Sequence, residues 1–378
     1  MNRILASITL TLVLLSSAAC GGKIKIPPVE SSLTPWSQIG GDQYHTSVAA
    51  NASHSRIEYF LKIKPVSMVG KSVVAADGII YCGTLKGMLE AFEIQTGERV
   101  GRLKIKKPII SAPLIDNKHI YFASAKDEQN LYGYDLENGR YLWRHELGIF
   151  ESSLAHSDNR LFAANRSGVL YALNKLTGEI FWKQNTRSEI IADIIAVDEY
   201  VYTGSLKGDI SAFDQQSGDP VWQYGSGLVL KGAPSSDGER LFWGSVDNKL
   251  IALDAFSGDL LWSFDTNGGI YAPPAVYERQ VVFGCADGYV YSVDSGTGKE
   301  NWRYRAGSVV NTACIVVGGR IYFGTLNREI IGLDGGSGQE LWTFPVEGRV
   351  TSNPVFYDGF VVFPVEYRFL YVFDTREE

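Results

Sequence analysis

Six aspartates, Asp135, Asp214, Asp254, Asp294, Asp334 and Asp374, are the most regularly placed carboxylates in this 378-residue chain. Paired carboxylates do general acid–base work, and oxygen-rich clusters of them hold hard cations. Their spacing argues against both uses. They fall on a period of about forty residues, and each but the last is followed four positions on by Gly, as in Leu253-Asp254-Ala255-Phe256-Ser257-Gly258-Asp259-Leu260-Leu261-Trp262. Carboxylates spread over one repeated turn cannot converge on a single substrate. Their local task is to accept amide hydrogens at the turn, while Gly takes the positive φ that closes it.

The remaining chemistry-bearing residues are equally scattered. His45, His54, His119, His145 and His156 occupy unrelated repeat positions, without the paired spacing of a zinc site. No Gly-x-Ser-x-Gly elbow or phosphate-cradling loop occurs, and the glycines sit where the period puts them. Beyond Cys20 only Cys82, Cys285 and Cys314 remain, an odd set without Cys-x-x-Cys spacing. One pair can be bridged in an oxidising compartment and the sequence does not choose it; the other reading is three small thiols on core-facing strands. A net charge of −7 without a basic stripe excludes nucleic acid as a natural partner. No metal, cofactor or catalytic residue is expected.

The elements that carry these turns follow from the same period. Trp143, Trp182, Trp222, Trp262, Trp302 and Trp342 stand at one position of the repeat and are expected to wedge neighbouring repeats together. Within a repeat the apolar residues alternate, which means strands. One unit reads as an inner strand near Leu230 to Ser236, then Arg240 to Ser245, Lys249 to Asp254 and an outer strand Leu260 to Phe264, separated by turns such as Asp237-Gly238. Self-similarity of this length, with four short strands per unit, predicts an all-β fold, an eight-bladed β-propeller of four-stranded antiparallel blades. The last repeat ends after its third strand, Phe369 to Asp374, whereas Ile57 to Ile63 is strand-like and has no blade. Pairing the two would close the ring and remove two sheet edges.

The N-terminus has its own signal. Arg3 precedes an apolar run from Ile4 to Leu15, too short to span a bilayer, and small residues lead into Cys20. Ser17-Ala18-Ala19-Cys20 resembles a bacterial lipobox, which implies removal of residues 1–19 and lipidation of Cys20. Residues 20–34, with Pro27-Pro28 and few apolar side chains, read as a flexible tether, and residues 35–378 as the propeller.

The repeat resembles that of the quinoprotein-like propellers, Ala-x-Asp-x-x-Thr-Gly-x-x-x-Trp, closely at Ala212 to Trp222 and Ala252 to Trp262, and Trp36-Ser37-Gln38-Ile39-Gly40-Gly41 looks like that family's opening. Its enzymes carry pyrroloquinoline quinone, adjacent bridged cysteines and a calcium held by Glu, Asn and Asp. Here the axial segments are small, as in Gly232-Ala233-Pro234 and Thr312-Ala313-Cys314, and Asp193 is their one clear carboxylate. A non-catalytic binding platform fits better. The lipidated Cys20, eight blades and envelope setting resemble the BamB lipoproteins of outer-membrane β-barrel assembly. That resemblance implies anchoring in the outer membrane, a periplasmic location and a BamA-like partner. It further implies a contact segment at Leu228-Val229-Leu230-Lys231-Gly232-Ala233-Pro234, with Leu228 and Leu230 as apolar anchors and Lys231 where that family has Arg. The companion acids expected near Gly268 to Tyr271 are missing. The alternatives are a propeller lipoprotein with a different envelope partner or ligand, and a quinone-binding redox protein.

Overall fold

Alternating apolar residues over five or six positions dictate half-buried or buried strands, and thirty-three strands form among the described residues. The computed structural model describes Ile24, Ile26 and residues 36–49, 57–125 and 130–376. The segment of residues 1–19 and Cys20 lie outside the described residues. Eight antiparallel sheets follow one another along the chain, each of four strands; one gains a fifth, Val48–Ala49, which pairs in parallel with Ile315–Val317.

Blade 5 illustrates the unit. Its strands are Ser235–Ser236, Arg240–Gly244, Lys249–Asp254 and Leu260–Asp265. The three outer strands fall where alternation puts them, but the innermost is only two residues long rather than the seven from Leu230 to Ser236. Pro234 has no N–H to give a ladder, and Leu230 to Pro234 forms no strand. A bulge skips Leu261, so that Leu253 faces Leu260 and Ala252 faces Trp262.

The Trp wedge is the seam between blades. A Cβ on Gly298, whose φ is +68°, would stand 2.6 Å from Cε3 of Trp262, and Gly338 meets Trp302 in the same way. Only a bare α-carbon with access to the left-handed region fits under the ring. The rings of Trp143, Trp182, Trp222, Trp262 and Trp302 also donate Nε1–H to a carbonyl of the next blade, as in Trp143 to Lys175 at 2.7 Å, Trp222 to Ala255 at 3.0 Å and Trp262 to Ser295 at 3.0 Å. Trp143 is buried and the other five rings are half-buried.

Two positions of the seam carry no Trp, and both are filled by the N-terminal part of the chain. In blade 1 the bulge puts Gly101 in the Trp place, opposite Ala91. Ile24, fully buried, lies over it, about 3.2 Å from where a Cβ of Gly101 would be. The Ile26 N–H bonds to Leu136 O at 2.9 Å, the carbonyl an indole would have used, and Tyr134 Oη–H bonds to Ile24 O at 3.0 Å. At these two positions the expected free tether is corrected: apolar side chains missing from the blade are supplied by the tail. In blade 8 the outer strand is Glu58–Ile63, antiparallel to Phe369–Asp374, which confirms the closure expected from sequence. A bulge at Phe60 sets Leu61 opposite Val372, where a Trp would stand, and Leu61 and Ile63 pack on Gly97 of blade 1.

Between tail and closing strand, residues 36–49 cross one end of the axis. Ser37 O accepts Ile115 N–H at 2.8 Å in blade 2, Tyr44 O accepts Ser236 N–H at 2.8 Å in blade 5, and Ser47 O accepts Val316 N–H at 2.8 Å in blade 7. Ile39 is buried between Ala112 and Ala233, from blades 2 and 5. The inner strands run toward this plug, so the loops that enter each blade, and the turns between second and third strands, lie on the opposite face.

Candidate functional site

The axis is filled from both ends. Within the plug His45 is fully buried and its Nδ1–H donates to Pro234 O at 3.1 Å. Burial holds this imidazole neutral by lowering its pKa, against the pull of Asp42 and Asp193. Toward the other face Lys71 of blade 1 reaches across to Asp193 ahead of blade 4, at 2.8 Å, and to Ile191 O at 3.1 Å. Asp193 also accepts Ser153 N–H at 2.5 Å, as Asn353 accepts Ala313 N–H at 2.8 Å, so its carboxylate is spent on joining inner strands. Sequence reading found Asp193 but not Lys71, its partner from a distant repeat.

These residues do not fit a quinone held with calcium. Ile39 and the Lys71–Asp193 pair occupy the axis, and among the described residues no three His, Cys, Asp or Glu side chains come together as a metal site. Cys82, Cys285 and Cys314 are buried, unbridged thiols. Burial pushes the Cys285 thiol up to about 11 and Cys314 up to about 12, which leaves both protonated and weakly nucleophilic at neutral pH.

The repeated aspartates do what their turns require. Asp294 Oδ1 accepts Thr297 N–H at 2.9 Å and Asp334 Oδ1 accepts Ser337 N–H at 2.8 Å, and in blade 3 Asn174 Oδ1 accepts Leu176 N–H at 2.9 Å and Thr177 N–H at 3.0 Å. The Thr297 and Ser337 hydroxyls, then the amides, hold both carboxyls below their usual range. A carboxylate depressed in the folded state adds stability that is present above the unfolded value near 4 and lost as pH falls through the folded one. Melting temperature is therefore expected to drop as pH falls below about 4. Asp294→Asn with Asp334→Asn should flatten that slope while changing melting at pH 7 little; an unaltered slope refutes the assignment.

The segment Leu228 to Lys231 lies on the face opposite the plug, and the structure divides it. Leu230 is fully buried with Trp243, Ile210 and Leu253, so its expected role as an exposed anchor is corrected: it is core. Trp243 Nε1–H bonds to Gly232 O at 2.9 Å and fixes that burial. Leu228 and Val229 are half-buried and Lys231 is exposed. No acid lies between Gly268 and Tyr271, and two acids stand on neighbouring turns. Asp247 accepts Val229 N–H at 2.5 Å, and Asp287 accepts Asn267 N–H at 3.2 Å and the Tyr291 hydroxyl at 2.8 Å. Tyr271, 40% exposed, adds an apolar surface at the same edge. Half-buried aliphatics, an open ring, a cation and two fixed acids make a surface suited to a protein contact.

Eight such blades, wedged by Trp on Gly and closed by the chain's two ends, define a quinoprotein-type propeller with an occupied axis. The family model described as Outer membrane protein assembly factor BamB matches residues 40–149, 127–228 and 206–376, and the chain belongs to that family. The Kangiella koreensis outer membrane protein assembly factor BamB is 28% identical over 124 residues, 30% of this chain; the match spans 31% of that relative. The crystal structure of BamB from Moraxella catarrhalis superposes with a TM-score of 0.72 at 17% identity, covering 84% of this chain and 100% of that one. The quinohemoprotein alcohol dehydrogenase of Comamonas testosteroni superposes with a TM-score of 0.77 at 12% identity, covering 91% and 81%. At such identities the two solved structures attest the fold alone.

Proposed function

We propose that this chain is a non-catalytic, lipid-anchored scaffold that binds a BamA-like barrel protein during outer-membrane protein assembly. The observation that carries the reading is the assembly-factor family match, which extends from residue 40 to residue 376, nearly the whole propeller. The filled axis supports it, because it leaves faces rather than a chamber for binding. Lipidation of Cys20 would hold the propeller at the periplasmic side of the outer membrane. Ile24 is fixed on the rim between blades 1 and 2, and four residues extend at most about 14 Å, so that rim would face the lipid. The blade 4–6 edge around Lys231 would then be free for the partner.

Two neighbouring substitutions separate contact from core. Lys231→Glu is expected to leave stability within about 0.5 kcal/mol, as exposed changes do, and to reduce co-purification of the barrel protein from crosslinked envelopes severalfold. Leu230→Asp should instead cost more than about 3 kcal/mol by burying an unpaired carboxylate. Recovery of a different envelope protein, equally sensitive to Lys231→Glu, would keep the scaffold and discard this partner. No recovery of any barrel protein by the unaltered chain would refute the assembly role.

A further inference from the structure

Blade 8 presents a turn unlike those at the same place in blades 1 and 3 to 7. Those turns each contain one residue with positive φ, Gly in four of them and Asn248 or Arg328 in the others. Between Phe360–Val365 and Phe369–Asp374 two successive residues, Tyr367 at +61° and Arg368 at +66°, take that conformation. The loop holds three residues, Glu366 to Arg368, between the paired Val365 and Phe369, and consecutive left-handed positions favour Asn and Gly, so a bulky Tyr-Arg pair is strained there. Strain retained at a surface turn points to a use for the side chains it displays. Tyr367, 61% exposed, is the most open large apolar side chain among the described residues.

Both residues border a cleft of about 420 Å³ at the seam of blades 8 and 1, on the face opposite the plug. Lys64, Lys86 and Arg368 form its charged walls, and Val66 and Phe369 give it an apolar side. Lys64 Nζ stands 5.6 Å from the Phe369 ring, and Arg368 donates to Val66 O at 3.3 Å. None of the three cations has an ion pair among the described residues. The surrounding acids are engaged elsewhere: Glu90 accepts Val66 N–H at 2.7 Å and pairs with Arg99, Glu347 pairs with Lys62, and Glu366 is gripped by both arms of Arg349. A locally basic, partly apolar cleft therefore opens on a chain of net charge −7.

We propose that this cleft binds an acidic, aromatic-containing polypeptide segment. Lys64, Lys86 and Arg368 would meet its carboxylates, and Tyr367 and Phe369 would pack its ring. A bare anion would leave the apolar side unused. The site lies on other blades than Lys231, so it stands or falls independently of the assembly reading.

The test is fluorescence anisotropy of the full chain with a fluorescein-labelled dodecapeptide of alternating Asp and Glu around one central Phe. Saturable binding is expected, weakened at least tenfold by Lys64→Glu with Lys86→Glu and by Tyr367→Asn with Arg368→Gly. The second pair supplies the residues this turn prefers, so its melting temperature should hold or rise, which separates lost binding from lost folding. Equal binding of a Lys-substituted peptide of the same length, or unchanged affinity in the turn variant, overturns the proposal. So does variant-sensitive capture by phosphatidylglycerol vesicles or displacement of the peptide by equimolar inorganic phosphate.

Discussion

Trp143→Ala is expected to cost about 3–5 kcal/mol of stability, the range for large aromatic truncations in cores, measured as a shift in the urea midpoint at constant slope. Trp143 is only 8% exposed, stacks on Tyr121 with ring centroids 6.1 Å apart, and seals the seam between blades 2 and 3. Truncation would open a cavity over Gly178, where a Cβ would stand 2.6 Å from Trp143 Cγ. It would also strip the 2.7 Å bond from Lys175 O. Two adjacent blades lose their contact at once, and little else in that seam can move to fill it. The half-buried Trp262 should cost less than Trp143. A loss below about 1 kcal/mol at Trp143, the size of an ordinary surface change, would show that the indoles do not hold the blades together.

Ile63→Asp should be still more damaging, about 4–5 kcal/mol or more, because it places an unpaired carboxylate in a closed core. Ile63 is 2% exposed among Phe363, Leu370 and other residues of the closing blade. The same strand carries Tyr59, stacked on Phe344 at 5.6 Å, so it joins blade 8 to blade 7 as well as to blade 1. Its displacement would bare the edge of Phe369–Asp374, and an open edge recruits strands from other molecules. Size-exclusion chromatography should therefore show higher oligomers along with the fall in the urea midpoint. A monomeric variant of near-normal stability would mean that the ring closes by some other contact.

The period of Asp, Gly and Trp made most of the fold legible, because each of those residues acts within its own repeat or on the next. Lys249–Asp254 falls on its expected residues for that reason. What could not be read depended on partners far away in sequence. Leu61 and Ile24 stand in for tryptophans, yet neither is marked by a Gly turn beside it; only the pairing register reveals the substitution. The plug of residues 36–49 bonds to inner strands of several blades, from Ala75 to Val316, and no local pattern announces it. Lys71 and Asp193 meet across the axis for the same reason.

The candidate site was half legible. Alternation at Leu228 and Leu230 could not say which was enclosed, since Trp243 decides that from the next strand. The acids were sought on the loop from Gly268 to Tyr271, while the folded chain brings Asp247 and Asp287 to that edge from hairpin turns. Tyr367 and Arg368 look like ordinary loop residues until their backbone angles are known.

Photocrosslinking from a probe residue introduced at Lys231, compared with one at Lys299 on the opposite face, tests the scaffold reading most directly. In native envelopes the Lys231 probe should capture a BamA-like barrel protein and the Lys299 probe should not. Capture of that protein from Lys299 alone, or from neither position, would contradict it.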